Sequence, residues 1–180
     1  MQRPNGFTLL ETMVVLALGA VLAGLALPPM RSFAAGRQLH VLTGELAASL
    51  RLARSEAIKR GVRVSLCRSP DGQQCAANAS GRDWASGWLV FVDHGVRGVV
   101  EPGDQMLSVQ PASLGGVQVL AAGTATYVVS FLPSGVAPGA QNNFRFLPAL
   151  AAGTEAYRLA QQVMCVSATG GARLVRGTTC

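Results

Sequence analysis

Lysine, histidine and aromatic side chains are scarce in this 180-residue chain, and each shortage narrows what it can do. Only two histidines occur, His40 and His94, and no two of the four cysteines form a C-x-x-C pair, so the ligand spacing of a zinc site is missing. Nor is there a G-x-S-x-G, H-E-x-x-H, P-loop or G-x-G-x-x-G stretch, which removes the usual hydrolase, metalloprotease and nucleotide-binding readings. Asp71, Asp83, Asp93 and Asp104 stand beside glycine, other turn formers or Trp84, and His94 lies in Asp93-His94-Gly95. All five read as turn residues, so no catalytic site, metal or cofactor is expected. Aromatic residues are only 6% of the chain while glycines number 21, which favours long irregular connections over a dense aromatic core. Acidic residues are also few, nine against fifteen basic ones, and Lys59 is the single lysine. The resulting charge of +6 permits attraction to polyanions, nucleic acid or anionic lipid, without specifying either.

What is present is apolar, at 49% of residues, enough for one packed domain plus an N-terminal segment. From Phe7 to Leu27 the chain is apolar except near its start. As a helix this run spans ~31 Å, close to the ~30 Å hydrocarbon core of a bilayer. It is too long for a signal-peptide core, and no A-x-A cleavage site follows it. The short flank with Arg3 should stay cytoplasmic, which places the rest of the chain on the far side of the membrane. Disulfides persist in that compartment. Cys67, Cys75, Cys165 and Cys180 allow three pairings, and the local bridges Cys67–Cys75 and Cys165–Cys180 are expected, with the connectivity left open.

Glu11 interrupts the apolar run. A carboxylate there weakens membrane insertion by ~3 kcal/mol on insertion scales, so it needs a role. The stretch GFTLLETMVVLALGAVLAGLALP resembles the N-terminus of type IV pilins and type II secretion pseudopilins. That resemblance implies cleavage by a prepilin peptidase between Gly6 and Phe7, methylation of Phe7, and a leader peptide of residues 1–6. It also implies that Glu11 meets the N-terminal amine of a neighbouring subunit, where opposite charges offset much of each other's burial cost. Pro28, followed by Pro29, fits the family's helix proline, and a kink or break is expected there. The implied partners are other major and minor pilins or pseudopilins, the prepilin peptidase, an inner-membrane assembly platform and membrane lipid. The implied location is the inner membrane, single-pass, with the N-terminus cytoplasmic and the C-terminal domain periplasmic, and then a pilus or pseudopilus.

Helical periodicity resumes beyond the prolines. Leu39, Leu42, Leu46, Leu50, Ala53 and Ala57 form one apolar stripe, Glu56 and Arg60 an i,i+4 pair, and Gly61 a stop. Strand patterns follow at 62–67, 87–93, 106–110, 117–120, 126–132, 143–148, 158–167 and 172–176. LRLARSEAIKRG at the helix end, the Gly87-Trp88 strand ending in Asp93, and Phe131-Leu132-Pro133-Ser134-Gly135 resemble the GspH/FimT family of minor pilins and pseudopilins. The expected fold is α+β and type IV pilin-like. Residues 7–29 form the transmembrane and assembly half of a long N-terminal helix, and 30–61 its amphipathic second half. Residues 62–180 form a mainly antiparallel, β-rich periplasmic domain. Trp84 and Trp88 read as packing residues.

A second resemblance concerns function. Gly170-Gly171-Ala172-Arg173-Leu174-Val175-Arg176 is similar to the basic C-terminal region of FimT-like pilins that bind DNA in natural transformation. Its spacing is Arg-x-x-Arg, where theirs is Gly-Arg-x-Arg. Carried over, Arg173 and Arg176 would contact double-stranded DNA in a salt-sensitive way. An extended segment would point the two arginines to opposite faces, whereas a loop tied by Cys165–Cys180 would let both face one phosphate backbone.

Overall fold

In the computed structural model the described residues are 8–77, 81–123, 127–140 and 142–180, with the backbone alone for 24–32 and 142. The chain divides into two compact units, Met1–Ala34 and Ala35–Cys180.

Helix α1 (Leu9–Arg60) starts in the first unit and ends in the second. Thr8 opens it. Its Oγ1 accepts the Glu11 amide at 3.2 Å, which satisfies one of the unpaired donors of the first turn. Apart from Glu11 and Thr12, the described side chains from Leu9 to Leu22 are apolar, and all are exposed, with Leu9, Leu10 and Leu16 at 80%, 74% and 73%. Among the described residues no helix is long and apolar enough to cross a membrane. The run Phe7–Leu27 passes at both ends into residues whose side chains lie outside that description. The backbone is helical through Pro28 and Pro29 without a break.

In the second unit the expected stripe is the inner face of the helix. Leu39, Leu42, Leu46, Leu50, Ala53 and Ala57 are all at most 2% exposed. Gly61, at φ +69°, ends the helix by donating its amide to the Ala57 carbonyl. Eight strands follow: β1 (Val64–Arg68), β2 (Trp88–Val92), β3 (Met106–Gln110), β4 (Gln118–Gly123), β5 (Val128–Phe131), β6 (Asn142–Leu147), β7 (Gln162–Val166) and β8 (Ala172–Arg176). They form two four-stranded sheets, ordered β3-β2-β1-β5 and β4-β6-β7-β8, and every named pairing is antiparallel.

Both sheets share one core with the helix. Leu46 and Leu50 belong to the same cluster as Leu66, Val90 and Phe131 of the first sheet and Phe144, Phe146 and Met164 of the second. The opposite face of the first sheet carries a smaller cluster, Cys67, Leu89, Phe91 and Val128, backed by Cys75, Val100, Met106 and Tyr127. Burial on two faces explains why β2 reads as an apolar run rather than a clean alternation. Trp88 is 1% exposed and its indole donates to Ser49 Oγ at 2.9 Å, while Trp84 meets Phe144 edge-on at 5.0 Å. Both tryptophans are packing residues.

One strand boundary differs from the pattern. The run expected to be extended from 158 starts instead in helix α2 (Glu155–Ala160), and β7 begins only at Gln162. Thr154 decides this, because its Oγ1 accepts the Tyr157 amide at 3.1 Å and caps the helix.

Candidate functional site

The first candidate site is the start of α1. Thr8-Leu9-Leu10-Glu11 has the spacing of a capping box, and Glu11 lies in the first turn, where a negative charge suits the helix dipole. Half of the box is formed, by the Thr8 side chain accepting the Glu11 amide. The Glu11 carboxylate is exposed and makes no ion pair among the described residues. An unpaired carboxylate within a mainly apolar helix surface needs a cation from outside the chain or a polar medium. The expected cleavage point, Gly6–Phe7, lies outside the described residues, as does the side chain of Pro28.

The second candidate is the C-terminal hairpin. Residues 172–176 are a strand, paired Arg173 to Cys165 and Arg176 to Gln162. Three positions apart in a strand, Arg173 and Arg176 point to opposite faces. A loop presenting both to one phosphate backbone is therefore not what forms. The cysteines pair as Cys67–Cys75, with Cα atoms 5.6 Å apart, and Cys165–Cys180, at 5.8 Å. The second bridge holds the chain end against β7, beside Arg173.

Glycines set the orientation of this hairpin. Gly170, in the turn between β7 and β8, has φ +79°, and a Cβ there would lie 2.0 Å from the Gly135 carbonyl oxygen. Gly135 in turn has φ +76° and sits against Ile58 and Arg54 of α1. Arg54 donates to the Gly170 carbonyl at 3.1 Å, and the Ala137 amide to the Ala168 carbonyl at 2.8 Å. The Phe131–Gly135 motif thus joins helix, first sheet and second sheet at one point.

A polar cluster that the sequence reading missed lies at the end of β2. Asp93 reads as a turn former, yet its side chain is fully buried. It accepts from Arg63 and from Ser65 Oγ at 2.5 Å and from the Gly98 amide at 2.9 Å. Ser65 Oγ also meets Ser130 Oγ at 2.7 Å, and Arg97 donates to Ser130 at 3.1 Å. The other aspartates are turn and cap residues. Asp71 accepts the amides of Gln74 and Gln73 and the Ser69 hydroxyl, and these bonds hold its carboxyl below the usual range. Burial pushes the Asp104 carboxyl up, but bonds from the Glu101 and His94 amides and the His94 ring more than offset it, so it is lowered overall. Asp83 caps a short 3₁₀ turn and also takes the Val119 amide at 2.9 Å. Among the described residues no group of three or more His, Cys, Asp or Glu is placed to hold a metal ion.

Two family models match the chain. One, described as type II transport protein GspH, covers residues 42–170. The other, the prokaryotic N-terminal methylation motif, covers residues 1–27. No curated protein matches by sequence. Among solved structures, the type IV minor pilin FimU of Pseudomonas aeruginosa is similar at TM-score 0.55 and 18% identity, over 77% of this chain and 89% of that one. The minor pseudopilin EpsH of the Vibrio cholerae type 2 secretion system is similar at TM-score 0.51 and 16% identity, over 77% and 97%. At these identities the two structures establish the pilin-like fold alone.

Proposed function

The chain belongs to the GspH family of type II transport proteins and carries a prokaryotic N-terminal methylation motif, and from that premise we propose that it is a minor subunit of a pilus or pseudopilus. Proteins of this family are structural and not enzymes. In this reading a prepilin peptidase removes residues 1–6 and methylates Phe7. The apolar segment then holds the subunit in the inner membrane, with the β-rich unit periplasmic, until an assembly platform moves it into the filament beside other pilins or pseudopilins.

The observation that carries the reading is the surface of α1 from Leu9 to Leu22, apolar and exposed on all sides around the lone carboxylate of Glu11. Lipid suits the apolar surface but not the carboxylate. A neighbouring subunit's N-terminal amine suits both, because pairing the charges offsets their desolvation. Glu11 would make the isolated subunit uncomfortable in lipid and the assembled one satisfied.

Two measurements test this. Mass analysis of the mature chain is expected to give an N-terminus at methylated Phe7, and any other start rejects the processing. Glu11→Ala is expected to insert as well as the natural chain while its recovery in filaments drops roughly tenfold or more, since one buried charge then lacks its partner. Recovery at the unmutated level would rule out the pairing role.

A DNA-receptor role on the same scaffold would rest on Arg173 and Arg176. The strand pairing of β8 leaves that role one arginine per face, so the filament role is the reading adopted.

A further inference from the structure

We propose that the free edge of β8, together with the neighbouring face of α1, is a docking groove for an extended, acidic segment of another protein, bound by strand addition. The inference lies wholly within residues 35–180 and does not depend on the N-terminal processing.

Main-chain chemistry is the first argument. β8 is the last strand of its sheet. The Ser167 amide bonds the Gly171 carbonyl and the Gly177 amide the Gln161 carbonyl, which fixes the alternation of the antiparallel pair. Odd-numbered residues of β8 turn their main-chain groups toward β7. Ala172, Leu174 and Arg176 turn theirs outward, and no described residue takes them. Each of these three residues offers a donor and an acceptor, the pattern that an added strand completes.

Charge is the second. A groove of about 280 Å³ runs between β8 and α1, lined by His40, Gly44, Ala47 and Arg51 of the helix and by Arg173 and Leu174 of the strand. No acidic residue lines it, and His40, Arg51, Arg173 and Arg176 form no ion pair among the described residues. Charges on a strand edge commonly guard against self-pairing. That accounts for Arg173 and Arg176, and it excludes a second copy of β8 as occupant, because like charges would oppose one another. It does not account for the Arg51 cation on the facing helix. The three arginines favour an incoming strand with carboxylates on both faces.

The groove floor is the third. Gly44 stands in the middle of a 52-residue helix, where glycine costs about 1 kcal/mol against alanine, and a Cβ there would meet nothing within 4 Å. Packing within the chain does not require that glycine. Room for another backbone does. An extended peptide also suits the edge better than duplex DNA, since phosphates accept hydrogen bonds but cannot donate to the outward carbonyls of β8.

The test uses the full chain in detergent micelles with a capped alternating Glu-Val peptide, its Lys-Val counterpart and a short DNA duplex as labelled probes. Binding of the Glu-Val peptide alone is expected. Its affinity should fall at least tenfold in Arg51→Glu/Arg173→Glu and in Gly44→Leu, whose Cβ has open space and whose side chain occupies the groove. Hydrogen exchange supplies a readout without mutation: bound peptide should slow the amides of Leu174 and Arg176, while those of Arg173 and Val175 are already protected. No binding of the acidic peptide overturns the proposal. So does binding that leaves the edge amides unchanged, or duplex binding tighter than peptide binding and lost in the same arginine variant.

Discussion

Asp93 stands where β2 ends, its carboxylate out of contact with water and bonded to Arg63, Ser65 and the Gly98 amide. Replacing it with alanine would leave the Arg63 charge, the Ser65 hydroxyl and the Gly98 amide without this acceptor. Asp93→Ala is therefore expected to lower stability by about 3–5 kcal/mol, the usual cost of breaking a buried ion pair from one side. Asp93→Asn should fall between, because the amide oxygen still accepts from Ser65 and Gly98. Denaturant unfolding of the three proteins checks the order, and equal stabilities would dismiss the network. The turn at Asp93-His94-Gly95 was legible in the sequence because turn chemistry is local. Burial of Asp93 was not, since Arg63 and Ser65 reach it from 30 and 28 positions away, and Ser65 in turn meets Ser130 of β5, 65 positions from Ser65.

Among elements, the two glycine turns decide how the sheets meet. Gly170→Ala would combine a left-handed backbone, about 1–2 kcal/mol for an L-residue, with a methyl forced against the Gly135 carbonyl, typically another 1–3 kcal/mol. Gly153→Ala has a similar φ of +85° with nothing within 4 Å, so it should show the backbone part alone. Thermal unfolding of the pair separates the two contributions, and equal losses would mean that the turn contact is not tight. In the sequence, Phe131–Gly135 stood out only through its resemblance to a family motif. Its physical use depends on Gly170 and Arg54, which arrive from elsewhere in the fold. Helix α2 was hidden for a related reason. Arg158, Leu159 and Ala160 read into the apolar pattern of β7, and only the Thr154 cap turns them helical.

For the molecule as a whole, two units follow different rules. Among the described residues the first presents apolar side chains outward, and the second, Ala35–Cys180, holds the buried core. With few aromatics and long connections, the second unit relies on crosslinks as well as on its core. Cys165–Cys180 closes a separation of 15 residues, and for a loop of that size the chain-entropy account gives about 3 kcal/mol. Replacing both cysteines with alanine is expected to cost roughly that much. Hydrogen exchange should also quicken first in β7 and β8, the strands that this bridge ties. Unchanged stability and exchange would show that the bridge constrains neither the unfolded chain nor the hairpin.

The sequence alone determined what is local or periodic. The buried stripe of α1 follows from 3.6-residue spacing and its end from Gly61, while most strands follow from short apolar runs between turn formers. The N-terminal motif is legible because it is a linear segment, residues 1–27, that needs no folding partner to be read. Tertiary structure decided everything that needs distant residues to meet. The eight strands divide into two sheets, Asp93 gains its partners, and β8 becomes an edge with His40 and Arg51 facing it across a groove. Which strand lies at an edge, and which charges share a groove, depend on long-range pairing that period and propensity do not encode.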